Sequence, residues 1–315
     1  MKLISVITPC YNEEENIEEL YKQIKAVFQG LSIYRYEHIF IDNASTDNTV
    51  PLIKAITQHD KNIKLIVNSR NFGHIRSPYH GFLQGQGDAT IIMASDLQDP
   101  PSMIKDFIQK WEQGFKIAVA VKPESQEPNL VFFIRKSYYH FLTNISEVNL
   151  IRNFTGFGLY DKSVVEILRR MDDPYPYFRG MISEIGFEIA EIPFNQPRRE
   201  RGISKSNLYT LYDVAMLGIT SHSKLPLRLA TMIGFGLSLF SLLISLSYLG
   251  YKLLYWDTFQ VGIAPLIIGL FFFFSVQLFF IGLLGEYIAM IHTQVIKRPL
   301  VIEKERINFD NTNAS

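Results

Sequence analysis

Apolar and polar positions alternate regularly along the first part of the chain. Between short apolar runs, hydrophobic residues recur at helical spacing, as at Ile17, Leu20 and Ile24, and this predicts amphipathic helices. Further helices are predicted to begin near Thr49 and Arg76. Five apolar runs predict buried strands, at residues 3–7, 38–42, 63–67, 90–94 and 115–121. This repetition predicts an α/β fold with a mostly parallel sheet covered on both faces.

Two long apolar runs follow near the C-terminus. No charged residue occurs between positions 229 and 251 or between 258 and 285. An apolar helix of about 22 residues is about 33 Å long, enough for a hydrocarbon core of about 30 Å. The pattern therefore predicts a membrane part at 228–292, with two transmembrane helices at about 229–251 and 262–285.

The basic residues around these runs predict their orientation. Only Lys252 lies in the turn, whereas the other basic residues flank the two ends: Lys224, Arg228, Lys297, Arg298 and Lys304. Basic flanks favour the cytoplasmic side. We therefore expect a two-pass protein of the plasma (inner) membrane with both termini and the N-terminal domain in the cytoplasm.

The remaining segments complete the predicted organisation. Residues 1–206 form the cytoplasmic domain, and apolar residues at helical spacing predict a juxtamembrane amphipathic helix at 207–227. That helix could pack on the domain or lie in the headgroup plane. Residues 293–315 form a cytoplasmic tail whose polar end, NFDNTNAS, has the composition of disorder. The phenylalanine-rich faces of the hairpin could associate into a homo-oligomer.

Composition excludes several classes of function. The 31 basic and 31 acidic residues balance, so the chain has no basic excess for binding nucleic acid. The single cysteine, Cys10, excludes an intramolecular disulfide and a cysteine metal cluster, and it is interpreted as an inert buried thiol. No GxGxxG or GxxxxGK[ST] motif follows a strand, which excludes the usual dinucleotide and P-loop sites.

Four polar loops follow the predicted strands. They are TPCYNEEEN (8–16), DNASTDNT (42–49), NSRNFGH (68–74) and ASDLQDPP (94–101). Singly, their Asp and Asn residues are typical of turns and caps, and Ser45 and Asp47 could cap the helix near Thr49. Ligands of parallel sheets bind beyond the carboxyl ends of the strands, so together the loops predict a binding site.

The chemistry of these loops fits a nucleotide. They supply polar groups for a base and a ribose, while a diphosphate needs a divalent cation and an arginine. Asp96 and Gln98 are predicted to bind that cation, Mg²⁺ or Mn²⁺, because Pro100 and Pro101 would rigidify the loop that presents them.

The quoted motifs, in this order and spacing, resemble a family 2 glycosyltransferase of the GT-A fold, which is Rossmann-like. With the C-terminal hairpin the chain resembles the polyprenyl-phosphate glycosyltransferases, such as dolichyl-phosphate mannose synthases and bacterial undecaprenyl-phosphate glucosyltransferases. The resemblance implies Asp96 and Gln98 as metal ligands. It also implies these nucleotide-sugar-binding residues: Pro9, Tyr11, Asn12, Glu13, Asp42, Asn43, Arg70, Gly73 and Asp96.

The chain departs from this family pattern at two places. Relatives read DADLQ or DVDLQ where this chain has Ala94, so the first acid is missing while Asp96 remains. Where relatives have GDFRLMDR, Gly156 and Gly158 replace an acid and an arginine, and Asp161 persists. The glycines could form a loop close to the sugar or a tight turn. Ser95 or Asp99 could compensate for the missing acid.

Two basic segments are candidates for the acceptor phosphate. Arg135-Lys136 is either part of an amphipathic helix or a phosphate site beneath a lipid tail. RRERGISKSN matches the family pattern RxxGxSK and is either a solvated loop or a headgroup site. The acceptor-phosphate residues are then Arg135, Lys136, Arg199, Ser204 and Lys205.

The resemblance implies an inverting transferase that moves a hexose from a nucleotide-sugar donor, with UDP-glucose favoured, to polyprenyl phosphate at the membrane. The product would donate its sugar in later glycan or lipopolysaccharide modification. A processive synthase would show a QxxRW motif and more membrane spans, and this sequence has neither. The alternative to an active transferase is an anchored nucleotide-sugar-binding or scaffold protein that has lost catalysis. The predicted catalytic residues are Asp96, Asp161, Arg199, Arg201 and Lys205.

Overall fold

The computed structural model describes residues 1–122, 151, 154–197, 217, 225–254 and 263–309. The described strands are β1 (Lys2–Cys10), β2 (Tyr34–Asp42), β3 (Ile63–Asn68), β4 (Ala89–Ile92), β5 (Ile117–Val121), β6 (Phe154–Asp161), β7 (Ile189–Pro193) and β8 (Glu303–Ile307). The described α-helices are α1 (Ile17–Gln29), α2 (Thr49–His59), α3 (Gly73–Leu83), α4 (Ile104–Glu112), α5 (Lys162–Met171), α6 (Phe178–Glu184), α7 (Leu225–Leu254) and α8 (Ile263–Ile296).

These strands form one mixed sheet in the order β7-β5-β6-β4-β1-β2-β3-β8. β1 pairs in parallel with β2 and β4. β2 also pairs in parallel with β3, and β5 pairs in parallel with β7. β6 is antiparallel to both of its neighbours, and β8 is antiparallel to β3. The mostly parallel α/β sheet of the prediction is confirmed.

Helices cover both faces of the sheet. On one face, Leu20 of α1 and Phe107 of α4 pack with Phe40 of β2 in the larger cluster of buried side chains. On the other face, Phe82 of α3 and Leu168 of α5 belong to a second buried cluster. The central strands are buried on both sides, which explains why they appear in the sequence as continuous apolar runs.

α7 and α8 differ from the other helices because large apolar side chains cover their surfaces. Phe235 and Leu278 are 73% and 68% exposed. By length and composition, residues 225–244 and 269–296 are long and apolar enough to cross a membrane. Both helices extend beyond the predicted spans. Most of the predicted juxtamembrane helix, 207–227, lies outside the described residues.

The segment after α8 returns to the sheet, which the sequence analysis did not predict. β8 pairs with β3, and the backbone N–H of Ser69 donates to the carbonyl of Ile302 at 2.9 Å. Asn308, the first residue of the polar NFDNTNAS end, donates through Nδ2 to the carbonyls of Thr57 and Ile63, each at 2.9 Å. Asn308 and Phe309 are therefore ordered, and the predicted disorder is wrong for them. The last six residues lie outside the described part of the chain.

A carboxylate fixes this returning strand. Glu303 lies 2.7 Å from the Nε2 atom of His80, and it accepts bonds from Arg306 at 2.6 and 2.9 Å. Burial raises the pKa of Glu303, but the hydrogen bonds from His80 and Arg306 outweigh this and lower the pKa to about 2. The ionised form is therefore favoured in the folded protein.

We expect this group to contribute stability that is present above about pH 4.5 and is lost as the pH falls towards 2. Because the pair is partly solvated, the contribution is about 1–2 kcal/mol. The thermal unfolding midpoint of Glu303→Gln should lie below wild type at pH 6, and the gap should close towards pH 2. Glu18→Gln on the exposed face of α1 is the control, and a gap that does not change with pH would contradict the assignment.

Candidate functional site

The strand order predicts where a ligand binds. The chain passes from β1 outward to β2 and β3, and then returns to the other side of β1 to form β4. Such a reversal leaves a crevice beyond the carboxyl ends of the two strands that flank it. Here the crevice lies between the loop after β1, which begins at Tyr11, and the loop after β4, which carries Asp96 and Gln98.

The loops after β1 and β2 are joined by hydrogen bonds. The backbone N–H of Asn12 donates to Ser45 Oγ at 2.9 Å, and Asn12 Oδ1 accepts from the N–H of Thr46 at 2.8 Å. The N–H of Glu13 donates to Thr49 Oγ1 at 2.9 Å. Asn12 adopts a left-handed conformation, with φ 55°, which asparagine tolerates better than most residues.

Asp42 ends β2 at the floor of this rim and is fully buried. Burial raises its pKa, and the hydrogen bonds that it accepts from the backbone N–H and the Oγ of Ser45 only partly oppose this. Ser45 therefore binds Asp42 and does not cap the next helix. Asp47 does act at that helix, because its Oδ1 accepts from the N–H of Thr49 at 3.0 Å.

Asn43 connects the loop after β2 to the loop after β3. Its Nδ2 donates to Asn71 Oδ1 at 2.9 Å and to the carbonyl of Gly73 at 3.1 Å. Its Oδ1 accepts from the N–H of Phe72 at 2.9 Å and from Asn68 Nδ2 at 3.2 Å. Asn43 is only 8% exposed, so all of its bonding capacity is used inside the protein.

Arg70 and Gly73 belong to this third loop. The Arg70 guanidinium lies 4.0 Å from the centroid of the Phe72 ring, and its Nη1 donates to the carbonyl of Asn71 at 3.0 Å. Gly73 has φ +86°, a conformation that residues with a Cβ atom rarely adopt. Through Asn12 and Asn43, the loops after β1, β2 and β3 that carry the predicted donor-site residues come together on one rim.

The loop after β4 is folded back on itself. The buried carboxylate of Asp99 accepts from the N–H of Ala94 at 2.8 Å, and Asp96 Oδ1 accepts from the N–H of Gln98 at 3.2 Å. Burial raises the pKa of Asp99 to about 6, with Asp96 adding to the shift and the bond from Ala94 opposing it. Asp99 thus secures the backbone at the position where the family's first acid is missing.

The residues on this loop suit a divalent cation whose remaining ligands come from the substrate and water. Among the described residues, no group of three or more His, Cys, Asp or Glu side chains could hold a metal ion by itself. Mg²⁺ commonly takes only one or two protein ligands and fills its other positions with phosphate oxygens and water. Asp96 and the Oε1 of Gln98 match that pattern.

Asp161 does not lie at this site, and its predicted catalytic role is corrected. β6 runs antiparallel to β4, so Asp161 pairs with Ala89 at the beginning of β4, on the opposite edge of the sheet. Its carboxylate caps α5 through the N–H of Ser163 at 3.0 Å and accepts from Trp111 Nε1 at 2.8 Å. Burial raises its pKa, but these bonds outweigh it and lower the pKa.

Glycine occupies two positions of β6 for different structural reasons. A Cβ on Gly158 would lie 2.6 Å from the carbonyl oxygen of Ala118 on β5, so close strand packing requires glycine there. Gly156 lies nearer the site edge with φ +103° and open space around it. Both glycines belong to a strand, so neither the predicted loop nor the alternative of a tight turn is found there.

The basic candidates Arg135, Lys136, Arg199, Arg201, Ser204 and Lys205 lie outside the described residues. The two segments that carry them nevertheless leave the described sheet at the site edge, after β5 and β7. Gln98 Nε2 donates to the carbonyl of Pro197 at 3.2 Å, one residue before the second segment begins. The predicted metal loop is therefore in contact with the chain that leads into that segment.

Sequence reasoning missed two residues that build the rim. Asn68 ends β3, is 1% exposed and donates to Asn43 and to Ser77. Ser45 was predicted as a cap but orients Asp42. Both occur in the quoted loops, and the signal that could have found them is a small polar residue directly beyond a buried strand.

Comparison with known proteins agrees with this geometry. Residues 5–168 match glycosyl transferase family 2. The SfII prophage-derived bactoprenol glucosyl transferase of Shigella flexneri is 33% identical over 96% of this chain and 97% of its own. The uncharacterized glycosyltransferase YkcC of Bacillus subtilis is 30% identical over 98% of this chain and 95% of its own.

Among solved structures, mannosyl-3-phosphoglycerate synthase from Rubrobacter xylanophilus aligns with 68% of this chain and 71% of its own. The identity is 13% and the TM-score is 0.48.

Proposed function

Because the chain belongs to glycosyl transferase family 2 and is a glycosyltransferase, we propose that it transfers glucose from UDP-glucose to undecaprenyl phosphate. The observation that carries this proposal is the single polar rim at the reversal of strand order, where Asn43 joins the loops after β2 and β3 and Asp96 lies on the loop after β4. The names of the high-coverage relatives support the glucose and the polyprenyl acceptor.

In the proposed reaction a phosphate oxygen of the acceptor forms a bond to the anomeric carbon, and the bond from that carbon to UDP breaks with inversion. A phosphate monoester is already anionic near neutral pH, so no strong general base is needed. The protein must therefore align the acceptor behind the anomeric carbon and stabilise the departing diphosphate.

The described residues divide these tasks. The rim around Asp42 and Asn43 would bind the nucleoside, together with Tyr11 and Glu13. Arg70 would neutralise diphosphate charge. Asp96 and Gln98 would hold Mg²⁺ or Mn²⁺, which when bound offsets the negative charge of the leaving diphosphate.

The returning strand supports the proposed membrane topology. β1 to β7 precede α7, whereas β8 follows α8, and all belong to one sheet. A sheet lies on one side of a bilayer, so α7 and α8 would cross as a hairpin with both ends on that side. The basic flanks, including Lys297 and Arg298, favour the cytoplasmic face. We propose residues 1–206 as the catalytic domain, followed by this hairpin.

A donor panel tests the proposed function. The purified full chain would be incubated with undecaprenyl phosphate, Mg²⁺ and each of several radiolabelled UDP- and GDP-sugars. We expect label in the lipid fraction with UDP-glucose. EDTA should lower the rate of transfer at least about 100-fold, and added Mg²⁺ or Mn²⁺ should restore it. Transfer that EDTA leaves unchanged would contradict the metal assignment, and transfer only from a GDP-sugar would contradict the donor.

A further inference from the structure

Three arginines lie together at the loop after β3 (68–74), here called the donor loop, which carries the first of them, Arg70. Arg70 and Arg76 both approach the Phe72 ring, with guanidinium carbons 4.0 and 5.3 Å from its centroid. Arg76, in the first turn of α3, also donates from Nη2 to the carbonyl of Pro299 at 2.6 Å. That bond brings Arg298, the residue before Pro299, to the same place.

Arg298 marks the end of the second apolar helix. α8 ends at Ile296, so Lys297 and Arg298 are the first residues beyond the candidate membrane span 269–296. Arg76 and Arg298 therefore lie between the donor loop and the level expected for lipid headgroups. A cavity of about 190 Å³ opens beside Arg298, which is the one of the three arginines that lines it, together with His80, Asp172, Asp173 and Lys297.

The positive charge of this cluster is only partly balanced. Asp172 pairs with Lys297 at 3.6 Å, and Asp173 accepts from Gln294 at 2.8 Å. Within the described part of the chain, no carboxylate forms an ion pair with Arg76 or Arg298. The Nε of Arg76 is buried and has no hydrogen-bond partner there. A bound anion would balance the excess charge of the arginines.

The electrostatics of Arg76 agree with this geometry. Partial burial lowers its pKa, and the neighbouring charges of Arg70 and Arg298 lower it further. Like charges gathered at this distance repel one another unless an anion lies among them.

We propose that Arg76 and Arg298 form a binding site for the phosphate group of a membrane lipid. Resting on the proposed function, we assign that lipid as the acceptor, whose phosphate would be held where the second apolar helix meets the donor loop. Lipid tails would stay beside α8, because drawing a long hydrocarbon chain into water costs about 0.8 kcal/mol per CH₂.

Binding of soluble probes to the purified full chain tests this site. The probes are farnesyl phosphate, a lipid phosphate monoester, and dihexanoyl phosphatidylglycerol, a phosphodiester headgroup. We expect Arg298→Gln and Arg76→Gln each to weaken farnesyl phosphate binding about tenfold, and Arg298→Lys to retain most of it. Arg35→Gln, which removes an exposed arginine near the start of β2, is the matched control. Because Arg298 is exposed, its substitution leaves the fold intact.

The outcomes separate the site from the proposed function. Unchanged farnesyl phosphate binding in Arg298→Gln overturns the site, even where wild type transfers glucose normally. Equal losses for both probes, with no preference for the monoester, overturn the acceptor assignment. If wild type transfers no sugar to any lipid phosphate, the proposed function fails, and the binding comparison still decides whether the phosphate site exists.

Discussion

Asp96→Asn is expected to lower the rate of sugar transfer by on the order of 100-fold or more while nucleotide binding persists. The substitution keeps the size of the side chain and the acceptor for the Gln98 N–H, but it removes the charge that would hold the cation against the diphosphate. Loss of one preorganised charge-stabilising group typically has an effect of about 10²–10³ on kcat. Steady-state kinetics at saturating donor measure it.

Asp161→Asn is the matched control. It removes the same charge from the opposite edge of the sheet, where the carboxylate caps α5 and binds Trp111. We expect a loss of about 1 kcal/mol in the free energy of unfolding and near wild-type kcat for the folded protein. Full activity of Asp96→Asn, or an inactive Asp161→Asn with a normal unfolding midpoint, would place the chemistry elsewhere.

Asn43→Ala is expected to destabilise the protein and weaken donor binding at the rim. The buried N–H of Phe72 would lose its acceptor, and the Nδ2 of Asn68 would keep only its bond to Ser77. An unsatisfied buried polar group costs about 1–3 kcal/mol. We expect the free energy of unfolding to fall by about 2–4 kcal/mol and the KM for the donor to rise at least about tenfold, because the loop with Arg70 is no longer held. Thermal unfolding and donor titration measure both.

The control for this substitution is Asn48→Ala. Asn48 lies on the same loop but is exposed, and its amide donates to Glu14 at 2.8 Å. Its removal should change stability by no more than about 0.5 kcal/mol. Equal effects of the two substitutions would show that Asn43 has no special role in joining the loops.

The fold was predictable from sequence where burial left a clear pattern. Most residues of the strands β1 to β5 are buried, so each strand contains a short apolar run. The α/β class and the GT-A fold that the motifs implied are confirmed. β6 was missed because its glycines resemble a loop. β8 was missed because EKERI at the sheet edge alternates between exposed and partly buried positions, a weak signal in a charged segment.

The candidate site was predictable to the level of loops but not of individual contacts. Polar residues directly beyond buried strands identify a sheet edge, since parallel strands share their carboxyl edge. Asp161 was misplaced because matching a motif by position does not give the direction of its strand. The bond from Ala94 to Asp99 was not predictable either, because it depends on a left-handed backbone at Leu97, with φ 60°.

The proposed reaction attaches one glucose to a polyprenyl phosphate. The most direct measurement is the intact mass of undecaprenyl phosphate after incubation with the purified protein, UDP-glucose and Mg²⁺. We expect a lipid heavier by one hexose, formed together with an equal amount of UDP, and far less of this product from Asp96→Asn in the same time. Binding of UDP-glucose while the lipid mass stays unchanged would rule out this reaction and favour an anchored nucleotide-sugar-binding protein.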